Sequence, residues 1–406
     1  MFINKTVTNK YKTNELAIFL TLPLKKETLT KNALLPKVLS RGTQNLKDQV
    51  EISKKLENMY GANLNCGIDK AGDYCILKFY IQCIGNKYVL NNENLAQDGL
   101  DLLLDIVFNP LVENDKFDDK IVEQEKENLL QIIQSKKDNK EKYAFNRCIE
   151  EMFKNEPYGL YKFGTEEDLA NINSKDLYEY YKEMLKQCRI DIFVYGMDAE
   201  NIQVPKELES LGNIEIVNDN QQSSTNNSNS NGEPQLVRES ADVTQGKLII
   251  GLNVLNNDKF AATMYNIVLG GGANSKLFQN VREKQGLAYS AGSMYVRRKD
   301  AIFIRTGIEL QNFEKTLEVI KEQLEAIRNG NITEDEINAG RELIIASLRM
   351  IQESQEDIIS FNFDQELFGE KLKINEYIEK LQKVTKDDII ETAKNVKINT
   401  IYYLEN

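Results

Sequence analysis

The chain has 406 residues, enough for about two to four domains of ordinary size. Its composition, with 41% hydrophobic and 28% charged residues, is typical of a soluble globular protein. The formal net charge of −12 argues against nucleic-acid binding, because phosphate contacts need clustered Lys and Arg. Solubility is the first interpretation of this charge, and a modest attraction for basic peptides is the second. Histidine is absent, which excludes catalysis by a Ser-His or Cys-His pair.

The apolar runs and the cysteines indicate the compartment of the protein. The run at residues 16–24 is too short to span a bilayer and predicts a buried strand, not a signal peptide. Five cysteines without a C-x-x-C pair predict reduced core thiols and no thiolate metal site. These are Cys66, Cys75, Cys83, Cys148 and Cys188. We therefore expect a cytoplasmic protein with no membrane segment.

Hydrophobic periodicity predicts a mixture of strands and helices in the first half of the chain. The predicted strands are 15–24, 73–83 and 189–195. The predicted helices are 30–60, 94–108, 115–135, 143–153 and 174–185. Gly61 is expected to end the first helix. On the helix at 115–135, Glu123, Glu125 and Glu127 are expected on a solvated face.

The second half repeats this order after a Ser- and Asn-rich segment at 220–235. That segment lacks the apolar side chains that would offset its ordering entropy, which predicts a flexible linker. The predicted strands beyond it are 246–252, 289–296, 301–308 and 399–404. The predicted helices are 259–268, 313–328, 334–352 and 385–396.

The repeated order predicts an α+β fold with two homologous domains, each an antiparallel-rich sheet packed by helices. The segment FDDKIVEQEKENLLQIIQS in the first half parallels ITEDEINAGRELIIASLRM in the second, each a helix after an acidic start. The expected domains are residues 1–219 and 236–406. Two unrelated domains with a similar helix order are the alternative.

A glycine-rich segment, Gly270-Gly271-Gly272, joins two predicted helices. A phosphate-binding loop is not expected, because the G-x-x-x-x-G-K-[ST] pattern is missing and no strand precedes the glycines. A plain turn between helices is one interpretation. The longer segment VLGGGANSKLFQNVREKQGLAYSAGSMY, however, resembles the C-terminal domain signature of the pitrilysin/insulinase zinc peptidases.

This resemblance implies a peptide-binding role for Gly270, Gly271, Gly272, Arg282 and Tyr289. In that family the Arg/Tyr pair helps to hold the peptide and its polarised carbonyl opposite the metal. The chemistry fits, since a guanidinium presents a fixed fork of donors and a phenol can donate to a developing oxyanion.

The first half resembles the zinc-binding half of the same family, with the zinc ligands replaced. The segments Arg41-Gly-Thr43 and Gly61-Ala-Asn63 align it with the family's zinc helix. The H-x-x-E-H motif, two imidazole ligands with a general base between them, then falls on Ala33, Pro36 and Lys37. Ile132 falls at the third ligand, a Glu. We expect no metal and no cofactor.

The resemblance implies a non-catalytic family member that supplies the peptide-binding half of an active site. The expected partner is a zinc-bearing H-x-x-E-H homologue in a heterodimer, or a second copy of this chain, and the expected ligand is a peptide. The alternative is an inactive scaffold or binding protein, such as the bacterial subfamily associated with elongation factor P modification. A lone peptidase with a new mechanism is a third hypothesis.

Overall fold

The computed structural model describes residues 1–91, 93–206, 208 and 233–406. The predicted linker at 220–235 lies outside the described residues except for its last three. The first half contains β1 (Phe2–Val7), β2 (Thr13–Pro23), α1 (Lys26–Leu39), α2 (Gln49–Asn58), β3 (Asn63–Ala71), β4 (Tyr74–Ile84), α3 (Leu95–Phe108), β5 (Val112–Glu113), β6 (Lys116–Phe117), α4 (Asp119–Gln134), α5 (Lys140–Met152), α6 (Glu166–Ala170), α7 (Ser174–Gln187) and β7 (Arg189–Gly196).

The second half follows the same plan. Its elements are β8 (Gln235–Ser240), β9 (Gly246–Val254), α8 (Lys259–Gly270), a π-helix (Phe278–Lys284), β10 (Ala288–Val296), β11 (Ala301–Ile308), α9 (Phe313–Arg328), α10 (Glu334–Ile351), α11 (Gln355–Leu367), α12 (Ile374–Gln382), α13 (Lys386–Lys394) and β12 (Val396–Glu405). No helix in the described ranges is both long and apolar enough to cross a membrane.

Each half contributes one five-stranded sheet of the described structure, and the two sheets share one strand order. The first sheet runs β1-β7-β2-β4-β3, and the second runs β8-β12-β9-β11-β10. All neighbouring strands are antiparallel except the β1–β7 and β8–β12 pairs. The predicted α+β fold with a repeated, antiparallel-rich sheet is confirmed.

The chain forms two compact units that exchange one segment each. Among the described residues, unit 1 takes in Met1–Ser135, Leu160–Val217 and Ser354–Gly369. Unit 2 takes in Lys136–Gly159, the rest of the second half up to Glu353, and Glu370–Asn406. The sequence-based boundaries follow the chain order and do not include this exchange.

The exchanged helix of unit 1, α11, covers one face of its sheet with aromatic side chains. The ring of Phe363 stacks on Phe19 of β2 with the centroids 4.0 Å apart. At the start of α11, the amide of Gln355 donates to the carbonyl oxygens of Thr13 and Tyr195, both at 2.9 Å. Apolar burial therefore attaches the helix, and hydrogen bonds set where it begins.

The exchanged helix of unit 2, α5, is attached by apolar contacts and by a charged network. Its buried residues pack against Ile249, Phe303 and Tyr402 of the second sheet. Arg147 of α5 donates from Nε to Glu239 of β8 at 3.1 Å, and Tyr402 donates to the same carboxylate at 2.7 Å. Burial by itself would raise the pKa of Glu239, but the hydrogen bonds from Tyr143, Tyr402 and Arg147 together hold it below its usual value.

The predicted single helix at 30–60 is wrong, because two helices occupy this range. Helix α1 ends at Leu39, and α2 begins only at Gln49. Asp48 caps α2 by accepting a hydrogen bond from the N–H of Glu51, so a second helix starts there. The interruption places Gly42 in a tight loop, where an added Cβ would lie 3.0 Å from the carbonyl oxygen of Lys47.

Candidate functional site

The glycine-rich turn follows α8 in unit 2. The helix starts at Asp258, whose carboxylate accepts from two N–H groups, and ends at Gly270. A Cβ on Gly270 would lie 2.6 Å from the backbone nitrogen of Ser293 in β10. A Cβ on Gly272 would lie 2.6 Å from Cδ2 of Leu343 in α10. Close packing of the turn against β10 thus requires a glycine at 270, apart from any ligand.

Arg282 lies in the π-helix that follows the turn. The π-helix ends at Lys284. Gly286 follows it with a positive φ of 64°, which favours glycine, and its N–H donates to the carbonyl of Arg282 at 3.1 Å. The guanidinium carbon lies 4.6 Å from the ring centroid of Phe278, and Nε lies 3.7 Å from a carboxylate oxygen of Glu283. The side chain is 42% exposed. Within the described part of the chain, its guanidinium donates no hydrogen bond.

Tyr289 is the second residue of β10, the edge strand of the second sheet. A β-bulge between Ala288 and Ser290 leaves Tyr289 without a pairing partner on β11. Its side chain is 59% exposed, and its phenol makes no hydrogen bond to any residue that the structure describes. A large, exposed aromatic residue with a free hydroxyl is suited to a ligand.

The five residues predicted to bind a peptide lie on three consecutive segments of unit 2. Gly270, Gly271 and Gly272 belong to the end of α8 and the turn, Arg282 to the π-helix and Tyr289 to β10. Helix α8 and the π-helix both pack against β10, so the structure brings Gly270, Arg282 and Tyr289 around one edge strand. An edge strand carries unpaired backbone groups on its outer side. The site therefore offers backbone donors and acceptors, a guanidinium and a phenol. That combination can bind an extended peptide but contains no nucleophile or general base.

The four positions that the resemblance aligns with a zinc site lie on two packed helices of unit 1. Ala33, Pro36 and Lys37 are on α1, Ile132 is on α4, and the helices are in contact. Ala33 is 2% exposed in the apolar core, and Ile132 packs against the same core. A methyl, a pyrrolidine ring, an ammonium and an alkyl chain contain no zinc-ligating atom at neutral pH. These residues do not fit a zinc ion.

No other group in the described part of unit 1 replaces this donor set. Within the described residues, no group of three His, Cys, Asp or Glu side chains is placed to hold a metal ion. The cysteines are all free, and burial raises the pKa of Cys66, Cys75, Cys83 and Cys188 to about 12. Their thiolate forms are therefore scarce at neutral pH.

The expectation of a solvated face on α4 is wrong for Glu125. Its side chain is 7% exposed and accepts a hydrogen bond from Nη1 of Arg41 at 2.6 Å. Asn128 donates to its second oxygen at 3.1 Å. The pair links the loop that follows α1 to α4. Sequence patterns gave no sign of it, because the two residues lie on different elements and meet only in the folded chain.

Comparison with known proteins places this chain among peptidase-like sequences. Residues 171–344, which include Gly270–Gly272, Arg282 and Tyr289, match the family model described as "Peptidase M16 inactive domain". The chain is 32% identical to the "probable inactive metalloprotease YmfF" of Bacillus subtilis (strain 168), over 98% of this chain and 94% of that protein.

Two further matches span most of the chain. One is the "uncharacterized zinc protease YmxG" of the same Bacillus subtilis strain, 26% identical over 74% of this chain and 73% of that protein. The other is the crystal structure of a conserved protein from Enterococcus faecalis V583, with a TM-score of 0.88. That protein is 27% identical, and the match covers 100% of this chain and 96% of that chain.

Proposed function

The chain belongs to the peptidase M16 family, and we propose that it acts there as the non-catalytic, peptide-binding subunit of a heterodimeric zinc peptidase. A zinc-bearing homologue supplies the metal, and this chain supplies the glycine-rich turn, Arg282 and Tyr289. The observation that carries the proposal is the contrast between its two halves. The positions that the resemblance assigns to zinc hold four residues that do not bind it, whereas the Arg/Tyr pair is exposed and donates no hydrogen bond to the residues that the structure describes.

The donors of the pair support a role toward a ligand. A surface ion pair usually contributes little to the stability of a folded protein. The guanidinium of Arg282 can therefore remain without a hydrogen bond at little cost in stability. Its fork of donors can bind carbonyl or carboxylate oxygens of a peptide bidentately. A strain of Bacillus subtilis has one relative named an inactive metalloprotease and another named a zinc protease, which fits a pairing of the two kinds.

The test combines the purified chain with the H-x-x-E-H homologue from the same source. Cleavage of a fluorogenic, lysine-rich peptide is measured for each protein alone and for the mixture. The mixture should cleave the peptide faster than the homologue alone, because each subunit completes the site of the other. Equal rates with and without this chain would contradict the heterodimer and leave the inactive scaffold as the function.

Arg282→Ala then tests the site itself. Loss of hydrogen bonds from a charged donor costs about 1.5–3 kcal/mol, so turnover by the mixture should fall about ten- to a hundredfold. Pull-down of the homologue should be unchanged. Arg238→Ala is the matched control, since Arg238 is 41% exposed, lies 4.3 Å from the ring of Phe313 and belongs to β8 at the opposite edge of the sheet. Equal losses in both variants would refute a specific role of Arg282.

The second candidate function, an inactive scaffold or binding protein, is favoured by the name of the 32% identical relative. A scaffold needs neither Arg282 nor Tyr289. It would still bind its partner after both residues are replaced by Ala, and it would leave the activity of any zinc peptidase unchanged. The possible partners of this kind include the machinery that modifies elongation factor P.

A further inference from the structure

Phe278 is the residue that supports the guanidinium of Arg282. Both side chains belong to the π-helix, and a spacing of four residues puts them on neighbouring turns. The guanidinium carbon lies over the ring, 4.6 Å from its centroid, which is within the range of a cation–π contact. Phe278 itself is half-buried, so its ring is held by the surrounding structure.

The backbone on either side of Arg282 is also held. The carbonyl of Arg282 accepts from the N–H of Gly286 at 3.1 Å, and the carbonyl of Val281 accepts from the N–H of Leu287 at 3.0 Å. The side chain of Val281 is fully buried. The Cα position of Arg282 is thereby fixed, and only its side-chain torsions remain to be restrained.

An aromatic ring restrains a guanidinium without using its N–H donors, whereas a carboxylate restrains it by accepting from them. Other arginines of unit 2 illustrate the second case. Arg297 and Arg298 both donate to Glu370, and Arg238 donates to Glu405 although it also lies over Phe313. For Arg282 the described residues include one ion-pair contact, with Glu283 at 3.7 Å, and no hydrogen bond.

We propose that Phe278 is a positioning residue for peptide binding: its ring orders the Arg282 side chain while leaving all the guanidinium donors available to the peptide. Because the Arg282 side chain is ordered before the peptide binds, less conformational entropy is lost on binding. The inference rests on the proposed function, since it assigns Phe278 a role at the same site. Phe278 acts through Arg282 and makes no contact with the peptide in this account.

The first measurement needs no peptide. The full-length protein is labelled with ¹⁵N-arginine, and the Arg282 Nε–Hε resonance is assigned by its absence from Arg282→Ala. A ring over the guanidinium should shift this resonance upfield of its position in Phe278→Leu. Phe278→Trp, which keeps an aromatic face, should retain the shift, and Phe278→Met serves if the Leu variant does not fold. An unchanged resonance in Phe278→Leu and Phe278→Met would overturn the proposal.

The second measurement is the affinity for a fluorescein-labelled, lysine-rich peptide in fluorescence polarisation. Phe278→Leu should weaken binding about two- to fivefold, the equivalent of one exposed cation–π contact, and Phe278→Trp should bind like the natural chain. In an Arg282→Ala background, Phe278→Leu should cause no further loss. An equal loss in that background would overturn the positioning role, because Phe278 would then act without Arg282.

The two measurements distinguish a failure of the proposed function from a failure of the positioning role of Phe278. If the natural chain shows the ring shift but binds no peptide, alone or with the zinc-bearing homologue, the proposed function is refuted, and with it the role of Phe278 in binding. If peptide binds but the ring shift is absent, the proposed function stands and the positioning role of Phe278 is refuted.

Discussion

Replacement of Gly270 by Ala tests whether the glycine-rich turn is required by packing. The new Cβ would lie 2.6 Å from the nitrogen and 2.6 Å from the hydroxyl oxygen of Ser293, and 2.9 Å from the carbonyl carbon of Gly292. Two of these atoms are backbone atoms of β10, which cannot rotate away. Helix α8 and the strand must therefore separate, or the turn must distort.

The magnitude follows from two opposing effects. Forcing an extra methyl group into a packed site costs about 1–3 kcal/mol. Replacing Gly by Ala at the end of a helix also raises the free energy of unfolding by up to about 1 kcal/mol, because the unfolded chain has fewer conformations to lose on folding. Contacts below 3.0 Å with backbone atoms indicate a cost of about 2–3 kcal/mol, so the net loss should be about 1–2 kcal/mol. For a unit of this size, that lowers the melting temperature by roughly 2–8 °C.

The stability of three glycine variants is measured by calorimetry and by urea-induced unfolding. At Gly67 an added Cβ meets nothing within 4 Å, so Gly67→Ala should be neutral or slightly stabilising. At Gly286 the space is also open but φ is +64°, so Gly286→Ala should cost about 1 kcal/mol from backbone strain alone. If Gly270→Ala is as stable as the natural chain, the packing argument is refuted. If Gly270→Ala has normal stability but no longer binds peptide, the glycine is required for contact with the peptide.

Two further predictions concern unit 1. Pro36 lies inside α1, where it removes a backbone hydrogen-bond donor at a cost of about 3 kcal/mol, and burial of its ring offsets part of this cost. Pro36→Ala should therefore increase the free energy of unfolding in urea by about 1 kcal/mol. A decrease would contradict this account. Burial and the charge of Glu356 raise the pKa of Glu15 from 4.5 to about 7, although Gln82 donates to it. Because the folded state favours the protonated acid, the contribution of Glu15 to stability is fully present below pH 4.5 and is lost as the pH rises through 7. Glu15→Gln should therefore add about 3 kcal/mol at pH 8 and almost nothing at pH 4, and equal gains at both would refute this origin.

Periodicity alone predicted most of the strands and helices, because burial of one face imposes a spacing on the apolar residues. The duplicated order of elements was also visible, and both sheets have the strand order that a repeat requires. The resemblance to the pitrilysin/insulinase family assigned Arg282 and Tyr289 to the peptide and Ala33, Pro36, Lys37 and Ile132 to the zinc positions, and these assignments stay predictions. Each of these features depends on the order of residues along the chain and not on how the elements pack.

The exchange of α5 and α11 between the units was decided by tertiary structure. Periodicity shows that a helix has an apolar face but not which sheet that face will cover. The stack of Phe363 on Phe19 and the ion pair of Arg147 with Glu239 join residues that are distant in the chain. Their pairing depends on surface shape and on the positions of buried charges, which no local pattern contains.

The chemistry of the candidate site divides in the same way. The sequence by itself predicted which residues stand at the zinc and peptide positions, because the resemblance depends on residue identity and spacing. Only the folded chain decided that Glu125 is buried against Arg41, that Gly270 lies against β10 and that the guanidinium of Arg282 lies over Phe278 without a hydrogen bond to the residues that the structure describes. Burial and hydrogen bonding are relations between elements, so they exist only once the elements have packed.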